Sequence, residues 1–588
     1  MNKPVSDVHP AVTIVSYNPP IPYGPGDPSW PNLLRDRSTM ATVSAATAGA
    51  TTAPPIGPPI APPAKHSVHD KLAKKPSKTG MMIFVGVLIA GLIFIGTSIA
   101  RDMTGTQVTA VWPYVLLGLA LLVALAFEFV NGFHDTANAV ATVIYTHSLD
   151  PQIAVVWSGF WNFAGVVSSS GAVAFGIVSL LPVELILQVG SGAGFAMVFA
   201  LLTAAILWNL GTWWLGLPAS SSHTLIGSII GVGIANQIMQ ARSGTSGVDW
   251  AQAGKIGQSL LLSPIFGFAL AATLFMLLKA LVKEKKLYEA PEGTEPPPFW
   301  IRGLLILTCT GVSFFHGSND GQKGMGLIML ILIGTVPTTY ALNHAVTASQ
   351  SQDFVAVSTQ TAETLNKYVQ QSASIGDPRE DVTDYIRTKE FKPNTMLALR
   401  ELVNGIGTEM AIFKDLKAVP QERVRNFRND MYLASEAIRL IQKSGKPVFA
   451  TADVAVLKNY KSHVDRATRF IPLWVKVATA LALGLGTMVG WKRIVVTVGE
   501  KIGKNHLTYG QGAAAEITAM ATIGAADWFG LPVSTTHVLS SGIAGTMAAN
   551  HSGLQWATVR NMLMAWVLTL PVAMMLSGFL FYFFRQVF

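Results

Sequence analysis

Two short stretches decide the fold: GLPASSSHTL at residues 216–225 and GLPVSTTHVL at residues 530–539. Each joins a Gly-Leu-Pro turn to three hydroxyl residues and a histidine, and each lies in an apolar part of the chain. A proline disfavours helix continuation from the residue before it, and hydroxyl side chains cap the free N–H groups where a helix begins. We therefore predict that each stretch begins a helix in a broken or re-entrant membrane segment, where protein satisfies the irregular backbone.

A second pair of motifs recurs in the same order along the chain. NGFHDTAN at residues 131–138 resembles HGSNDGQK at residues 316–323, at an offset of 185 residues, whereas the Gly-Leu-Pro motifs are 314 residues apart. The second offset exceeds the first by 129, which matches the 130 residues of a charged segment at 341–470. The chain therefore contains two homologous membrane halves, the second split by an inserted domain. Such duplication is typical of secondary transporters, whose substrate site lies between the repeats near the membrane midplane.

The composition indicates a membrane protein and excludes ordinary soluble enzymes. Half of the 588 residues are hydrophobic, only 13% are charged and the mean hydropathy is +0.42, whereas soluble proteins have about 25% charged residues. Of the 75 charged residues, 33 lie in 341–470 and 12 in 1–78, which leaves 30 for the other 380 residues. We interpret the net charge of +9 as the basic ends of membrane helices and expect no nucleic-acid partner. The single cysteine, Cys309, cannot form an internal disulfide or a zinc site.

Hydropathy and composition divide the chain into six parts. Residues 1–78 are rich in Pro, Ala, Thr and Ser, which predicts a disordered tail. Residues 79–105 contain an uncharged apolar run long enough for an extra transmembrane helix, and the lysines before it predict a cytoplasmic N-terminus. The other parts are a first membrane repeat at 106–282, a linker at 283–299, a second membrane repeat at 300–340 and 471–588, and a soluble helical insertion at 341–470. We expect an all-α polytopic membrane protein with about ten to twelve transmembrane segments, some of them half-crossings.

Two aspartates, Asp135 and Asp320, occupy matching positions in the two halves, each in a polar cluster within apolar sequence. An ionised carboxylate inside a membrane is costly and marks an ion or proton path by default. Since carboxylate and amide oxygens are good ligands for hard cations, we predict that the two aspartates bind the coupling cation. The alternative is a buried aspartate that only pairs with a helix end or a basic side chain.

The two hydroxyl triplets predict an anion site. Free N–H groups and the helix dipole favour an anion at a helix start, and two facing helix starts would hold one tetrahedral oxyanion with neutral donors. The residues predicted to bind it are Ser220, Ser221, Ser222, Ser534, Thr535 and Thr536. The alternative is a pair of ordinary N-caps without a ligand, which the duplication disfavours.

Further polar residues of the membrane halves are candidates for lining or proton relay. His223 and His537 follow the triplets at equivalent positions. Three roles are open for them: proton relay, orientation of the hydroxyls, or a purely structural role as hydrogen-bonded histidines. Lys323 stands where the first half has Asn138, and it either pairs with Asp320 or supplies positive charge for an anion. The other candidates, for which a hydrogen bond between helices is the alternative, are Glu128, Asn131, Asn162 and Glu516. The sequence contains no ATP-binding loop, zinc-protease motif or cysteine cluster, so we predict no enzyme, no resident metal and no cofactor.

Four motifs closely resemble the inorganic phosphate transporter (PiT) family and in particular its bacterial low-affinity permeases. They are NGFHDTANAVATVIYT, WNLGTWWLGLPASSSHTLIG, HGSNDGQKGMGLIML and GLPVSTTHVLSSGIAGTM, and the resemblance covers nearly all of residues 110–588. It implies two inverted repeats that meet at a phosphate site. It also implies transport driven by H⁺ in the enterobacterial type or by Na⁺ in other branches, with phosphate carried as a neutral complex with a divalent metal in the bacterial type.

The resemblance also assigns individual residues. Asp135, Asn138, Asn319 and Asp320 match the family's signature polar positions, which adds Asn138 and Asn319 to the predicted phosphate-binding set. Glu516 matches an acidic position of other members. At Asn162 some relatives have a glutamate, so the resemblance gives that residue no coupling role.

These observations lead us to expect a symporter that takes up inorganic phosphate, driven by H⁺, across the inner membrane of a Gram-negative bacterium. Na⁺ coupling and transport of another oxyanion such as sulfate are the alternatives within this class. A membrane receptor or scaffold that acts through residues 341–470 is the alternative from a different class. The expected surroundings are the lipid bilayer, and a homodimer is compatible with the sequence.

Overall fold

A computed structural model describes most of the chain from residue 68 onward. The described residues are 68, 71–73, 77–104, 111–188, 190–240, 247–291, 293, 295–370, 374 and 376–588, with the side chains of 136–138 excepted. The predicted disordered tail therefore lies largely outside the described residues. Within the described ranges the secondary structure is helical and no β-strand occurs, which confirms the predicted all-α fold class.

The helices fall into the two halves and the insertion. The extra N-terminal helix is α1 (Lys78–Asp102), and the first half contains α2 (Trp112–Tyr145), α3 (Pro151–Ser168), α4 (Ala172–Val178), α5 (Val183–Leu187), α6 (Gly192–Trp214), α7 (Ser221–Met239) and α8 (Trp250–Leu281). The second half begins with α9 (Phe299–Thr335) and α10 (Pro337–Tyr340). The insertion contains α11 (Ala348–Asn366), α12 (Pro378–Thr388), α13 (Thr395–Phe413), α14 (Gln421–Ser444) and α15 (Thr451–Thr468). The second half then continues with α16 (Leu473–Gly486), α17 (Lys492–Glu500), α18 (Tyr509–Trp528), α19 (Thr535–Ala549) and α20 (Trp556–Val587).

Six of the described helices are long and apolar enough to cross a membrane: α1, α2, α6, α8, α9 and α20. Two pairs, α3 with α4 and α15 with α16, are each bent by 75° and raise the number to eight if each pair is one span. The expected ten to twelve segments included half-crossings. Other helices of the membrane halves are not among the spans counted above. Of these, α7 and α18 are rich in small and polar residues, and α19 has only 15 residues.

The two halves pack together through pairs of equivalent helix–helix contacts, in which each half supplies one helix to each pair. α9 packs along α3 as α2 packs along α16, and α19 packs along α8 as α20 packs along α7. Glycines allow these close approaches: a Cβ on Gly317 of α9 would lie 2.2 Å from the Asn162 carbonyl oxygen, and one on Gly132 of α2 would lie 2.2 Å from the Leu483 carbonyl oxygen. This exchange supports the duplication inferred from the motifs.

The insertion and α1 are each attached to the membrane halves by polar contacts. Helices α11 to α15 share a hydrophobic core that also includes Val183 of α5, and Arg439 of α14 donates a 2.7 Å hydrogen bond to Asp249, which precedes α8. At the end of α1, the Asp102 carboxylate accepts hydrogen bonds from the Tyr340 hydroxyl at 2.8 Å and from the Trp474 indole at 3.0 Å. Most of α1 is otherwise exposed and apolar, as expected for a helix that faces lipid.

Candidate functional site

The hydroxyl triplets lie at the first turns of α7 and α19, where the Gly-Leu-Pro motifs predict helix starts. The first hydroxyl of each triplet is the N-cap. Ser220 Oγ accepts from the backbone N–H of His223 at 3.2 Å, and Ser534 Oγ accepts from the backbone N–H of His537 at 3.1 Å. These two serines therefore shape the helix starts, as N-cap residues commonly do.

The starts of α7 and α19 face each other. Ser222 Oγ donates a 2.9 Å hydrogen bond to the carbonyl oxygen of Val533, and the imidazole centroids of His223 and His537 lie 4.5 Å apart. Beyond their first turns the two helices pack against different partners, α20 and α8 respectively. Two helix N-termini therefore converge on one buried place, and each contributes partial positive charge there.

The middle hydroxyls of the triplets, Ser221 and Thr535, differ from their neighbours. Ser221 is 0% and Thr535 is 5% exposed, and neither side-chain oxygen forms a hydrogen bond with any residue that the structure describes. Most buried polar side-chain atoms in proteins are hydrogen-bonded. At equivalent positions of two converging helices, these two hydroxyls are therefore available to donate hydrogen bonds to a polar ligand.

The third hydroxyls connect the triplets to the two aspartates. Thr536 Oγ1 donates to Asp135 Oδ1 at 2.7 Å. Lys323 Nζ donates to Ser222 Oγ at 2.5 Å and also lies 2.5 Å from Asp320 Oδ1. Each aspartate is thus linked to the triplet of the opposite half, Asp135 directly and Asp320 through Lys323. The predicted anion-binding and cation-binding residues form one connected cluster.

The carboxylates come together with a histidine. Asp135, His316 and Asp320 are all buried, and each offers a ligand atom within 4.8 Å of the other two. Two carboxylates and an imidazole offer oxygen and nitrogen ligands to a cation. His134 Nδ1 lies 2.9 Å from Asp135 Oδ1, and His316 Nε2 lies 3.7 Å from Asp320 Oδ2.

The two histidines that contact the aspartates, His134 and His316, were missing from the predicted site. His134 and His316 do not align between the halves, so sequence reasoning favoured the aligned pair that follows the triplets. A local signal was nevertheless present, because His134 directly precedes Asp135 and His316 stands four residues before Asp320 on one helix. Helical residues four apart are neighbours on the same face.

Three of the predicted lining residues surround the cluster. Asn162 Oδ1 lies 2.6 Å from His316 Nδ1 and so orients the imidazole. Asn131 Nδ2 donates to Glu128 Oε2 at 3.4 Å, and the Glu128 carboxylate fills the space beside Gly324. All of these polar side chains are buried. They position the cluster and extend its polar lining.

Other predicted residues have structural contacts or lie elsewhere. Asn319 Nδ2 donates to the Leu531 carbonyl at 3.1 Å, and its Oδ1 accepts from the Val533 N–H at 3.4 Å, so this amide holds the turn before α19. Glu516 accepts hydrogen bonds from Thr142 and Thr308, which joins α18 to α2 and α9. Thr308 lies 12 residues before Asp320, about 18 Å along α9.

One member of the predicted phosphate-binding set, Asn138, has a side chain that lies outside the described residues.

The fold and this cluster define a class of protein: an all-helical, multi-pass membrane protein with a duplicated, buried polar centre between its halves. The chain belongs to the phosphate transporter family, because the profile described as "PHO4: Phosphate transporter family" matches residues 131–577. This match confirms the resemblance found in the motifs. The family's members are transporters, not enzymes, which confirms that part of the prediction and leaves the receptor or scaffold alternative without support.

Named relatives agree with this assignment. The "Low-affinity inorganic phosphate transporter PitB" of Escherichia coli (strain K12) is 42% identical over 489 residues, which cover 80% of this chain and 97% of PitB. PitA of the same strain is 43% identical over 486 residues, 79% of this chain and 96% of PitA. A solved structure described as "The sodium-dependent phosphate transporter" aligns with a TM-score of 0.45 and 19% identity, covering 81% of this chain and 100% of that chain.

Proposed function

We propose that this protein takes up inorganic phosphate as a secondary symporter and binds the anion between the first turns of α7 and α19. The observation that carries the proposal is a pair of buried hydroxyls, of Ser221 and Thr535, that lie at two converging helix starts and form no hydrogen bond with any described residue. A phosphate ion presents oxygens in four directions and can accept hydrogen bonds from both hydroxyls and from free backbone N–H groups. The relatives named as low-affinity inorganic phosphate transporters support this choice of substrate.

The cluster of Asp135, His316 and Asp320 is the proposed position of the coupling cation. It adjoins the proposed phosphate position, since Thr536 of the second triplet donates to Asp135. H⁺ is the proposed driving ion, because two imidazoles, of His134 and His316, lie against the carboxylates and an imidazole nitrogen can accept or donate a proton. Na⁺ coupling is the alternative, and it would use the same carboxylate oxygens.

Lys323 provides a physical connection between phosphate binding and cation binding. Its ammonium group lies between Ser222 of the first triplet and the Asp320 carboxylate. A phosphate ion bound at the triplets would attract the ammonium away from Asp320. Because a buried carboxylate is costly without a counter-charge, Asp320 would then bind a cation or a proton. This exchange is our proposed basis for symport.

A neutral complex of phosphate with a divalent metal is a second candidate for the transported form. The three-residue cluster offers two carboxylates and an imidazole within 4.8 Å of one another, and such ligands suit divalent metals. In that form the metal would travel with phosphate as cargo, adjacent to the hydroxyl triplets.

The proposed setting is a bacterial inner membrane with the N-terminus on the cytoplasmic side. The exposed apolar surfaces of α1 and α20 fit contact with lipid, and the basic residues before α1 favour the cytoplasmic side by the positive-inside rule. A homodimer stays a prediction, and light scattering of the purified protein would test it.

Uptake by the purified protein in liposomes tests the proposed function. We expect labelled phosphate to accumulate when the outside is made acidic, and not when only a Na⁺ gradient is imposed. Excess arsenate should compete with phosphate because its size and charge are similar, whereas excess sulfate should not. Uptake that needs a Na⁺ gradient would show that Na⁺, not H⁺, is the coupling ion. Uptake that is stimulated by Mg²⁺ would favour the metal complex as the transported form. No phosphate uptake under any gradient would contradict the proposal.

A further inference from the structure

A cavity of about 490 Å³ lies where α1 begins, and it shares no residue with the phosphate site. The first turns of α1, the start of α3, the end of α6 and the turn between α16 and α17 form its walls. Most of the lining is apolar and includes Met81, Phe84 and Val156. Its volume is within the range of ligand-binding sites in proteins.

Two basic residues, Lys492 and Arg493, form the charged side of this cavity. The Arg493 guanidinium lies 5.1 Å from the Trp213 ring centroid and 4.6 Å from that of Trp214, and its Nη1 donates to the Trp214 carbonyl at 2.7 Å. These contacts hold the guanidinium in one orientation. Since arginine has five N–H donors, donors remain for a ligand in the cavity.

The cavity is at the level of the membrane surface. Ser77 caps α1, and the apolar run of that helix begins immediately afterwards, with Met81 already 53% exposed. Tryptophans collect at this level of membrane proteins, and Trp213 and Trp491 both line the cavity. Basic pockets between membrane helices at this level bind anionic lipid headgroups.

We propose that this cavity binds an anionic phospholipid, with an acyl chain between α1 and α3 and the headgroup phosphate at Lys492 and Arg493. The combination of an apolar wall with a basic edge selects a lipid over an inorganic anion, which would leave Met81, Phe84 and Val156 without an apolar partner. α1 precedes the residues that the family profile matches. The lipid would therefore attach this added helix to the transporter halves, independently of the transport function proposed above.

Native mass spectrometry of the purified full-length protein tests this site. The two probes are phosphatidylglycerol and phosphatidylcholine with identical acyl chains, and we expect at least tenfold tighter retention of phosphatidylglycerol. The double variant Lys492→Gln/Arg493→Gln should lose this preference. Val156→Trp should weaken retention of phosphatidylglycerol by filling the apolar part of the cavity without changing its charge.

A matched control separates the cavity from a general effect of positive charge. Lys255 and Arg560 are exposed near the starts of α8 and α20, and the variant Lys255→Gln/Arg560→Gln should retain phosphatidylglycerol as the unmodified protein does. Because Arg493 packs on two tryptophans whereas the Lys492 ammonium lies over one, Trp491, Lys492→Gln is also measured alone and should give part of the loss.

Three results would overturn the proposal: equal retention of the two lipids by the unmodified protein, unchanged retention in the cavity variants, or the same loss in the control variant. Displacement of phosphatidylglycerol by excess inorganic phosphate would also overturn it, because that result would indicate a simple anion site.

Discussion

Lys323 is a charged side chain that joins the two proposed functions of the buried centre. It is fully buried, and its ammonium contacts both Asp320 and a hydroxyl of the first triplet. The equivalent position of the first half is Asn138, so the positive charge is present on one side only. We infer that, while phosphate is absent, the Lys323 ammonium holds the place beside Asp320 that the transported cation takes when phosphate is bound.

The variant Lys323→Asn copies the residue of the first half and should change the coupling. Without the ammonium, the buried Asp320 carboxylate needs another cation or a proton. That proton would stay on Asp320 during the empty return step, so we expect one fewer H⁺ carried per phosphate, measured as a shallower dependence of the initial uptake rate on external H⁺ concentration. Lys476→Asn is the control, because that ammonium donates to the backbone carbonyls of Val167 and Ser169. An unchanged H⁺ dependence in Lys323→Asn would exclude the proposed role.

The two aspartates should each be necessary for transport. Asp135→Asn and Asp320→Asn keep the size of each side chain but remove the charge that a cation needs. We expect both variants to abolish phosphate uptake while the amount of protein in the membrane stays the same. If both variants transport phosphate normally, the assignment of the cation position is wrong.

Among the elements, α9 depends on a glycine where it crosses α3. A Cβ on Gly317 would lie 2.2 Å from the Asn162 carbonyl oxygen and 2.7 Å from the Asn162 Cα, and both are backbone atoms that cannot easily move. This contact also sets the position of His316, the residue before the glycine, against the Asn162 side chain. The crossing and the cluster are therefore built by the same pair of helices.

Gly317→Ala should consequently separate α9 from α3. Overpacking of this kind typically costs about 1–3 kcal/mol, and we expect a lower melting temperature together with reduced uptake. Gly303→Ala is the control on the same helix, because a Cβ there meets no atom within 4 Å. In an open helical position alanine stabilises by about 0.4–1 kcal/mol. Equal melting temperatures for the two variants would show that the crossing tolerates a side chain.

Much of the element arrangement was predictable from the sequence. The Gly-Leu-Pro-hydroxyl motifs marked the starts of α7 and α19, and the offsets between motifs revealed the two halves. The distinction within each triplet was not predictable, because Ser220 caps its helix while Ser221 has no hydrogen-bond partner among the described residues. That difference depends on how two distant helix starts converge. The contact between Asn162 and His316 likewise depends on the crossing of α3 and α9.

On the scale of the whole molecule, Asp249 attaches the insertion to the membrane halves. Its Oδ2 accepts from Arg439 at 2.7 Å, while its Oδ1 accepts from the backbone N–H groups of Ala251 and Gln252. Burial raises the pKa of the Asp249 carboxyl, but the hydrogen bonds from Arg439 and the backbone outweigh burial and lower the pKa below its usual value.

Asp249→Asn should therefore loosen the insertion in a pH-dependent way. A carboxyl with a lowered pKa in the folded state stabilises above its unfolded pKa, about 4, and this contribution is lost as the pH falls through the folded value. We expect the variant to be less stable at pH 7 by on the order of 1 kcal/mol, with the difference shrinking in acid. Thermal unfolding in detergent measures both quantities.

Asp384→Asn is the matched control for this prediction, because Asp384 pairs with Arg387 and Lys392 inside the insertion. It should leave the attachment of the insertion unchanged, which limited proteolysis of the purified protein can report. If Asp249→Asn is as stable as the unmodified protein at pH 7, the contact with Arg439 does not hold the two parts together.

The measurement that tests the central claim most directly is the KM for phosphate uptake by the variant Ser221→Ala/Thr535→Val in liposomes. Hydrogen bonds to charged groups contribute about 1.5–3 kcal/mol each, so each single variant should raise the KM by about tenfold or more and the double variant further. Ser228→Ala is the control, since that buried hydroxyl of α7 donates to the Thr224 carbonyl at 2.8 Å. An unchanged KM in the double variant would contradict phosphate binding between α7 and α19.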